Sequence, residues 1–355
     1  MLHKSFIKNI DDYLCPPDIS IRDAMVRITG KFSLFQVVVD VNRKVLGTLT
    51  DGDIRRSILR GVTPDDHVHA CMNTTPITGR VGEDAENSFK LEQIHAVGGE
   101  HANFLPIVGP DDVLSSILVY DSTPTQSPSA LIMAGGLGAR LGERTKNTPK
   151  PLLHIGDKPI LEHIVNRLEK AGVEEVFISV CYLAEQIEAY VEARNSQAEI
   201  NIIHETEPLG TAGSIGLLPN TVIKPFLILN GDVLTSVDYG ALFEFHARHE
   251  YDATIAVAQY RTQIPFGVVR HGEDGLFTGI DEKPNQEHFV AAGIYLLSPE
   301  FRTLISPKEY IDMPALLNKG RKLGLKIGLF PIHEYWADIG RPDDFDEANG
   351  KYDKG

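Results

Sequence analysis

The sequence has little cysteine, no long apolar run and a shortage of positive charge. Its three cysteines, Cys15, Cys71 and Cys181, are odd in number and widely spaced, which fits neither a disulfide framework nor a zinc site and indicates reduced thiols. No window approaches the roughly 18 uninterrupted apolar residues of a membrane span, and the N-terminus lacks the apolar segment of a signal peptide. We therefore expect a cytoplasmic protein that has no membrane partner.

The charge balance restricts the partners of the protein. Lysine and arginine together number 34 against 49 acidic residues, and the formal net charge is −15. Nucleic acid is bound by basic surfaces that replace counterions, so this composition argues against a nucleic-acid partner. An anionic ligand would have to be met by a local cluster of cations.

The length of the chain favours two domains. Its 355 residues exceed what one hydrophobic core usually serves, and an apolar fraction of 42% is ample for a folded protein. The segment from Asp121 to Ser129 is rich in Ser, Thr, Pro and Gln and has no apolar periodicity, which is typical of a linker. We predict one domain over residues 1–121, a linker over 122–129 and a second domain over 130–355.

The first of these domains contains an internal repeat. Residues 34–53 and 102–121 align without gaps, and each copy reads as strand, polar turn, strand and acidic residue. A helical pattern of apolar residues precedes each copy. We expect two repeats, at about 5–62 and 68–121, that share one core.

The sequences GTLTDGDIRRSI in the first copy and MNTTPITGRVGEDA at the start of the second resemble the CBS-domain pair, or Bateman module, an α+β fold. The resemblance implies that Thr50 and Asp53 hold the ribose hydroxyls of an adenine nucleotide such as AMP or ATP. A carboxylate can accept from two vicinal hydroxyls, and a threonine donates at the same edge. Leu118 stands where the second copy would need a threonine, which argues against a second ribose site. The alternative is that the pair only joins copies of the chain into a homo-oligomer.

From Ser129 onward, apolar strand patterns alternate with helical patterns. This alternation predicts an α/β domain with a mostly parallel sheet covered on both faces. Such sheets bind ligands beyond the carboxyl ends of their strands. The candidate residues of this domain are therefore those that follow each apolar run.

The first strand of the second domain ends in a glycine-rich loop, AGGLGARLGERTKNTPKP. Gly136, Gly138 and Gly142 are spaced GxGxxxG, which misses the dinucleotide fingerprint by one residue, and no Lys-Ser/Thr pair completes a Walker loop. A glycine turn can still bring backbone N–H groups close to phosphates. Four cations follow within the same loop: Arg140, Arg144, Lys146 and Lys150. In a chain of net charge −15, this cluster favours a polyphosphate site over a glycine-rich turn with a solvated basic rim.

The same loop carries GGxGxRL followed by PKP, which resembles the signature of sugar-phosphate nucleotidyltransferases. Further motifs follow in the order of that family: EPLGTAG (207–213), LNGD (229–232), FGVV (266–269), DEKP (281–284), AAGIY (291–295) and WADIG (336–340). Together they span residues 130–342. The resemblance implies a Rossmann-like, GT-A-like domain that joins a nucleoside triphosphate to a sugar 1-phosphate and releases pyrophosphate.

The resemblance also implies roles for individual positions. Arg140, Lys150 and Asp232 would be catalytic, and Asp232 and Asp338 would hold the cofactor Mg²⁺. The implied nucleotide-binding positions are Leu131, Ala134, Gly135, Gly136, Gly138, Glu205, Gly210 and Thr211. The implied sugar-phosphate positions are Gly267, Glu282, Lys283 and Gly293. These residue types suit the reaction, because in-line attack on a triphosphate is catalysed by positioning and by cations.

Glu205 bears on the choice of base. Many thymidylyl and uridylyl members of the family have Gln at this position, five residues before the glycine equivalent to Gly210. Guanine offers its N1–H and its exocyclic amine as adjacent donors to a carboxylate. We therefore favour GTP, with UTP as the alternative, because some uridylyltransferases also carry Glu here.

The sugar is predicted from domain order. After Trp336 no hexapeptide repeat follows, so the acetyltransferase activity of some relatives is not expected. A CBS pair joined to one transferase domain resembles the guanylyltransferases that activate glucosamine 1-phosphate on routes to nonulosonic, legionaminic-type acids. The alternatives are uridylyl transfer and guanylyl transfer to mannose or heptose 1-phosphate. A regulatory protein that binds a nucleotide sugar without making it is disfavoured, because Arg140, Lys150 and both metal-binding aspartates are present.

Overall fold

The computed structural model of the chain describes residues 3–28, 35–98, 104–121 and 128–352. An N-terminal part built from two small sheets precedes a larger part built on one seven-stranded sheet. The predicted linker lies outside the described residues except for Pro128 and Ser129. No helix in the described part of the chain is both long and apolar enough to cross a bilayer.

The two copies of the sequence repeat fold into equivalent hairpins. The strands are β1 His3–Ile7, β2 Leu14–Cys15, β3 Phe35–Val39, β4 Val45–Thr50, β5 Gly79–Arg80, β6 Phe104–Val108 and β7 Leu114–Asp121. The helices are α1 Ile21–Ile28, α2 Asp51–Ile58 and α3 Asp84–Gly98. In each copy two strands pair antiparallel, β3 with β4 and β6 with β7, and a short strand, β2 or β5, runs parallel to the first of them. The repeat seen in the sequence is therefore also a structural repeat.

The larger part is the α/β unit that the alternating pattern predicts. Its strands are β8 Ser129–Met133, β9 His154–Ile155, β10 Lys158–Pro159, β11 Glu175–Val180, β12 Glu199–His204, β13 Phe226–Asn230, β14 Val233–Thr235, β15 Ala253–Gln263, β16 Val268–His271, β17 Phe277–Asp281, β18 Asn285–Leu297, β19 Ile327–Ile332 and β20 Trp336–Asp338. Its helices are α4 Ile160–Lys170, α5 Ala184–Ala193, α6 Tyr239–Arg248, α7 Pro299–Thr303, α8 Met313–Lys322 and α9 Pro342–Tyr352. The main sheet has the order β12-β11-β8-β13-β18-β15-β19, in which β18 runs antiparallel to both neighbours and the other pairs are parallel.

Strand β8 lies near the centre of this sheet and is covered on both faces. Ala130 and Ile132 join one buried cluster, which includes the apolar stripe of α4, and Leu131 joins a second cluster, which includes Leu316 of α8. This alternation follows from the two-residue period of a strand. Full burial of each large aliphatic side chain contributes roughly 1.5–3 kcal/mol. The strand that leads into the glycine loop is therefore fixed in place.

Helix α2 of the N-terminal part packs against β19 of the larger part. The side chain of Arg55 is 1% exposed and forms ion pairs with Asp51 at 2.6 Å and Glu334 at 2.8 Å. Its guanidinium also donates to the carbonyl of Pro331 at 2.6 Å and lies 3.7 Å from the ring centroid of Phe330. Because both carboxylates are themselves largely buried, loss of Arg55 would leave them with His333, 3.6 Å from Asp51 and 3.5 Å from Glu334, as their remaining ion-pair partner among the described residues. A buried ion cluster thus joins the two parts of the chain.

Candidate active site

Predicted residues from several separate segments meet in one cavity of about 540 Å³. It lies where β8, β12 and β13 end, at the edge where parallel sheets bind ligands. Its volume is within the range of small-molecule sites. The predicted residues that line it are Ala134, Gly135, Gly136, Gly138, Arg140, Lys150, Glu205, Gly210, Thr211, Asp232 and Asp338.

Two positions in the glycine loop leave little room for a side chain. Gly138 has a φ of 63°, and a Cβ there would lie 2.9 Å from Cγ2 of Thr145. The Thr145 hydroxyl fixes this turn by donating to the Gly138 carbonyl at 2.9 Å. A Cβ at Gly135 would lie 3.2 Å from Oε1 of Glu205. Gly135, Gly136 and Gly138 of this loop line the cavity, so its backbone is accessible to a phosphate there.

The four loop cations do not act as one cluster, contrary to the interpretation of the sequence. Arg144 pairs with Asp346 of α9 at 3.0 Å and lies over the Phe345 ring, and Lys146 pairs with Glu143 at 3.4 Å. Neither lines the cavity. Arg140 does line it, and makes no ion pair with any residue that the structure describes. Only Arg140 and Lys150 of the four are thus placed to meet an anionic ligand in the cavity.

Lys150 and the two predicted metal ligands form the charged wall of the cavity. The Lys150 ammonium bonds to Oδ2 of Asp232, and both side chains are largely buried. Asp338 is brought alongside because β14 and β20 pair with Val233 opposite Asp338. Burial and the nearby Asp232 carboxylate raise the pKa of Asp338. Two carboxylates at one wall repel each other, so the site favours a further cation.

The donor set fits a hard cation that is shared with a substrate. Oδ1 of Asp232 is buried and has no hydrogen-bond partner among the described residues. The same part of the chain holds no group of three or more His, Cys, Asp or Glu side chains arranged for a metal. A cation here would be held by Asp232, Asp338 and oxygens from elsewhere, which is how Mg²⁺ commonly binds beside phosphates.

Glu205 follows β12 and lies against the glycine loop. Its Oε2 accepts from the backbone N–H of Leu209 at 3.1 Å, while Oε1 faces Gly135. One carboxylate oxygen therefore fixes the side chain, and the other is directed to the cavity side. A carboxylate in this position offers acceptors and no donor.

The neighbouring turn at Gly210 and Thr211 is held against the start of α8. Gly210 has a φ of 78°, and a Cβ there would lie 2.7 Å from the carbonyl of Ile311. Oδ1 of Asp312 accepts from the Thr211 backbone N–H at 3.0 Å and from its hydroxyl at 3.3 Å. The Thr211 hydroxyl in turn accepts from the N–H of Met313 at 2.8 Å. Thr211 thus has a structural role as well as a place in the cavity wall.

Three lining residues with polar side chains were not predicted as site residues from the sequence: Asn230, Tyr310 and Asp312. Asn230 precedes Asp232 in the same LNGD motif, so the motif itself was the available signal. Asp312 is followed two residues later by Pro314, a pattern typical of a helix N-terminus. Nothing in the sequence connects that helix start with the cavity, because the contact between Thr211 and Asp312 joins distant parts of the chain.

Some predicted residues lie outside the cavity wall. The side chain of Leu131 is fully buried in the core of the sheet and does not line the cavity, contrary to its predicted nucleotide-binding position. The four sugar-phosphate positions also do not line it. Gly267 and Glu282 lie together on the β16–β17 hairpin, where a Cβ at Gly267 would be 2.9 Å from Oε2 of Glu282.

The other two sugar-phosphate positions are related to the cavity in different ways. Gly293, in β18, has a φ of 72°, and a Cβ there would lie 2.7 Å from Nδ2 of Asn230 in the cavity wall. Lys283 is exposed and also has a positive φ, 47°. The sugar-phosphate residues therefore form no single group: Gly293 adjoins the cavity through Asn230, and the hairpin residues stand apart from its wall.

Thr50 and Asp53 line a second, smaller cavity of about 150 Å³. They form the capping box of α2: the Thr50 hydroxyl accepts from the Asp53 N–H at 3.1 Å, and Oδ2 of Asp53 accepts from the Thr50 N–H at 2.9 Å. Oδ1 of Asp53 is bonded by Arg56. The Thr50 hydroxyl also donates to Oδ2 of Asp53 at 2.6 Å, so the polar groups of the pair are engaged in fixing the helix start.

Comparisons with known proteins agree with this geometry. The family model described as nucleotidyl transferase matches residues 129–355, and that of the CBS domain matches residues 7–60. The mannose-1-phosphate guanylyltransferase catalytic subunit beta of Drosophila pseudoobscura pseudoobscura is 36% identical over 236 residues, which cover 63% of this chain and 62% of the relative. The mannose-1-phosphate guanyltransferase of Schizosaccharomyces pombe is 33% identical over 229 residues, 61% of this chain and 62% of the relative. This chain thus spans about 62% of the length of these curated relatives.

A solved structure of HddC from Yersinia pseudotuberculosis, complexed with GMP-PN, is similar to the larger part of the chain. It has 26% sequence identity and a TM-score of 0.51, and the match covers 63% of this chain and 99% of HddC. The family match extends over the glycine loop and all the residues that line the larger cavity. The chain belongs to the nucleotidyl transferase family and carries a CBS domain in its N-terminal part.

Proposed function

We propose that this chain is a Mg²⁺-dependent sugar-1-phosphate guanylyltransferase, which joins GTP to a sugar 1-phosphate and releases pyrophosphate. The observation that carries the proposal is the charged wall of the larger cavity, where Lys150 bonds to Asp232 beside Asp338. A glycine loop and Arg140, which makes no ion pair with a described residue, border the same space. This arrangement suits a reaction in which negative charge accumulates on phosphates.

The reaction that we propose breaks one bond and forms one. A phosphate oxygen of the sugar 1-phosphate attacks the α-phosphorus of GTP in line, and the bond between the α-phosphorus and the β-bridging oxygen breaks. GDP-sugar and pyrophosphate are the products, and neither an oxidant nor a reductant is needed. Most of the catalysis then comes from positioning the two phosphates and from neutralising their charge.

Arg140 and Lys150 have different parts in this scheme. The Arg140 guanidinium offers planar, forked donors that suit the oxygens of a triphosphate. Lys150 is a compact charge on a largely buried stem, held in place by Asp232. We assign Lys150 to the α-phosphate and the incoming sugar phosphate, whose mutual repulsion it would reduce.

Asp232 and Asp338 would hold the Mg²⁺ ion. When bound, Mg²⁺ neutralises phosphate charge and polarises the phosphoryl oxygens. Oδ1 of Asp232, which has no hydrogen-bond partner among the described residues, and the repulsion by which Asp232 raises the pKa of Asp338 both suit a cation shared by the two carboxylates. The ammonium of Lys150 meanwhile keeps Asp232 oriented toward this place.

GTP is favoured as the nucleotide because of Glu205. The side chain is fixed through Leu209 with one oxygen on the cavity side, and an acceptor there suits the N1–H and exocyclic amine of guanine. Asp312 supplies a further carboxylate in the same wall. Uracil would present a carbonyl to at least one of these acceptors. The guanylyltransferase names of the curated relatives support the same choice, and UTP remains the alternative.

The sugar can be proposed only as a class, a hexose 1-phosphate, whereas a single nucleotide is proposed. Domain order favours glucosamine 1-phosphate, whereas the curated relatives are named for mannose 1-phosphate. Residues near the predicted sugar site, such as Glu282 and Gly267, carry no preference between hexoses by type. We therefore propose a hexose 1-phosphate, with glucosamine as our choice and mannose or heptose as alternatives.

For the N-terminal part we propose that the CBS pair binds an adenine nucleotide, AMP or ATP, at Thr50 and Asp53. Both residues line the smaller cavity, and Oδ1 of the Asp53 carboxylate, which accepts from Arg56, can accept a further hydrogen bond. A role in joining copies of the chain into a homo-oligomer is compatible with this proposal.

A pyrophosphate-release screen tests the proposed reaction. Four nucleoside triphosphates are paired with the 1-phosphates of glucosamine, mannose and a heptose, with and without Mg²⁺. We expect turnover only with Mg²⁺ and fastest with GTP. Turnover with UTP but not GTP would contradict the nucleotide assignment, and no turnover with any pair would contradict the proposal as a whole.

A further inference from the structure

The smaller cavity is not formed by the CBS region alone. One of its lining residues is Arg248, the last residue of α6 in the nucleotidyl transferase region. We infer that Arg248 binds the 5′-phosphate of the adenine nucleotide; this inference rests on the proposed binding of that nucleotide to the CBS region. The nucleotide site would then be shared between the two parts of the chain, with the cation supplied by the catalytic part.

The charges around Arg248 favour an anion. Its side chain lies over the first turn of α2, where a Cβ added to Gly52 would be 3.5 Å from Nη1 of Arg248. It has no hydrogen bond or ion pair with a residue in the described ranges of the chain. Three charges act on Arg248: the cation of Arg56 and the carboxylates of Asp53 and Glu244. The Asp53 carboxylate is already bonded to Arg56. Burial and the like charge of Arg56 lower the pKa of Arg248, so its charge is under-compensated where it lies.

Arg56 itself is held in place between the two parts. One guanidinium nitrogen bonds to Asp53, and another lies 3.2 Å from Nε2 of His249. His249 is anchored in turn, with Nδ1 2.7 Å from the carbonyl of Phe245 in α6. A phosphate between Arg56 and Arg248 would meet two guanidiniums, one from α2 and one from α6, so both helices would contribute to binding it.

The rest of the cavity suits a nucleoside. The first copy of the repeat contributes polar lining residues, Thr48, Thr50 and Asp53. The second copy contributes apolar ones, Phe104 and Pro106. Ribose hydroxyls suit the polar residues and a flat base suits the apolar ones. A volume of about 150 Å³ is small for a ligand site, which favours a nucleoside with one phosphate over a triphosphate.

The position of this site links it to the catalytic carboxylates. Helix α6, which ends at Arg248, begins shortly after β14, the strand that follows Asp232. On the other side, α2 binds Glu334 through Arg55, and Glu334 lies between β19 and β20, the strand that ends at Asp338. A phosphate that draws α2 and α6 together thus acts on two segments that lead to Asp232 and Asp338. This route is how the shared site would make the catalytic part responsive to an adenine nucleotide.

Calorimetry of the full-length chain tests the assignment. AMP, adenosine and ATP are titrated into the wild type, Arg248→Gln, Asp53→Asn and the matched control Arg321→Gln, which alters an exposed arginine of α8. We expect the wild type to bind AMP at least as tightly as ATP and more tightly than adenosine. Arg248→Gln should weaken AMP binding about tenfold or more and leave adenosine binding nearly unchanged, because it removes a charge-assisted contact to phosphate. Asp53→Asn should weaken AMP and adenosine by similar factors, and Arg321→Gln should change neither.

Three results would overturn the inference in distinguishable ways. Unchanged AMP affinity in Arg248→Gln, with reduced affinity in Asp53→Asn, would show a CBS site that does not use the catalytic part. Equal losses for AMP and adenosine in Arg248→Gln would show a structural role and no phosphate contact. Absence of AMP binding to the wild type would contradict both the inference and the proposed CBS ligand, while pyrophosphate release, measured on the same preparation, would still decide the guanylyltransferase proposal separately.

Discussion

Replacing Lys150 with methionine should lower turnover by about two to three orders of magnitude. The side chain is 10% exposed and its ammonium is held by Asp232, so it is an oriented charge with little access to bulk solvent. At an effective dielectric constant near 20, two unit charges about 4 Å apart attract by roughly 4 kcal/mol, and each 1.4 kcal/mol is about a factor of ten in rate. Lys150 already attracts the phosphates of the bound substrates, and only the attraction gained in the transition state affects kcat. The expected loss in kcat is therefore about 10²–10³.

The assay is continuous pyrophosphate release at saturating GTP and Mg²⁺. Lys150→Met keeps the length of the apolar stem, so folding should be preserved, and circular dichroism and thermal unfolding check this. The matched control is Lys146→Met, which removes an exposed lysine of the same loop that pairs only with Glu143 outside the cavity. We expect the control to stay within about twofold of the wild type, the effect of an exposed pair being small. A loss below about fivefold in a folded Lys150→Met, or equal losses in both variants, would refute the role of Lys150.

The remaining predictions concern the base, the metal and the contact between the two parts. Glu205→Gln should lower kcat/KM for GTP by about 10–100-fold and that for UTP much less, because guanine loses its paired acceptor; steady-state kinetics with both nucleotides measure this, and equal losses would count against base recognition. Asp232→Asn should raise the Mg²⁺ concentration needed for half-maximal rate, and an unchanged requirement in a metal titration would argue against its role as a ligand. Arg55→Met should destabilise the chain by about 3–5 kcal/mol in urea unfolding, because it strands the carboxylates of Asp51 and Glu334; a loss under 1 kcal/mol would mean that the cluster is not coupled to folding. Burial opposes ionisation of Asp51, but Arg55 and, after it, His333 outweigh burial and lower the pKa of Asp51 from 3.8 to about 2. The stabilisation from Asp51 is therefore full above pH 3.8 and lost as the pH falls through about 2, so the unfolding temperatures of wild type and Arg55→Met should converge on acidification; a constant difference would contradict this.

The sequence predicts those parts of the molecule that depend on local pattern. The apolar run from Ala130 to Met133, followed by glycines, predicts a buried strand that ends in an open loop, and β8 with Gly138 at positive φ is that structure. The prediction of a mostly parallel sheet is also confirmed. It could be made from local pattern because alternating strand and helix patterns leave few other topologies.

Contacts between distant segments are what the sequence does not reveal. Arg140 and Arg144 are alike in type and lie in one loop, yet Asp346, far along the chain, pairs with Arg144 and leaves Arg140 for the cavity. The same holds for Asp312 against Thr211 and for Arg248 in the CBS cavity. Which of two equal side chains meets a carboxylate depends on tertiary packing, and composition and spacing carry no information on it.

The central claim is that the larger cavity transfers guanylyl groups, and labelled GTP tests it most directly. The purified chain is incubated with Mg²⁺, glucosamine or mannose 1-phosphate, and GTP labelled at either the α- or the γ-phosphorus, and the products are separated. We predict that the α-label appears in GDP-sugar and the γ-label in pyrophosphate, in equal amounts. Label from the γ-phosphorus in the sugar product, or no labelled GDP-sugar from any sugar 1-phosphate tested while the protein is folded, would contradict the account.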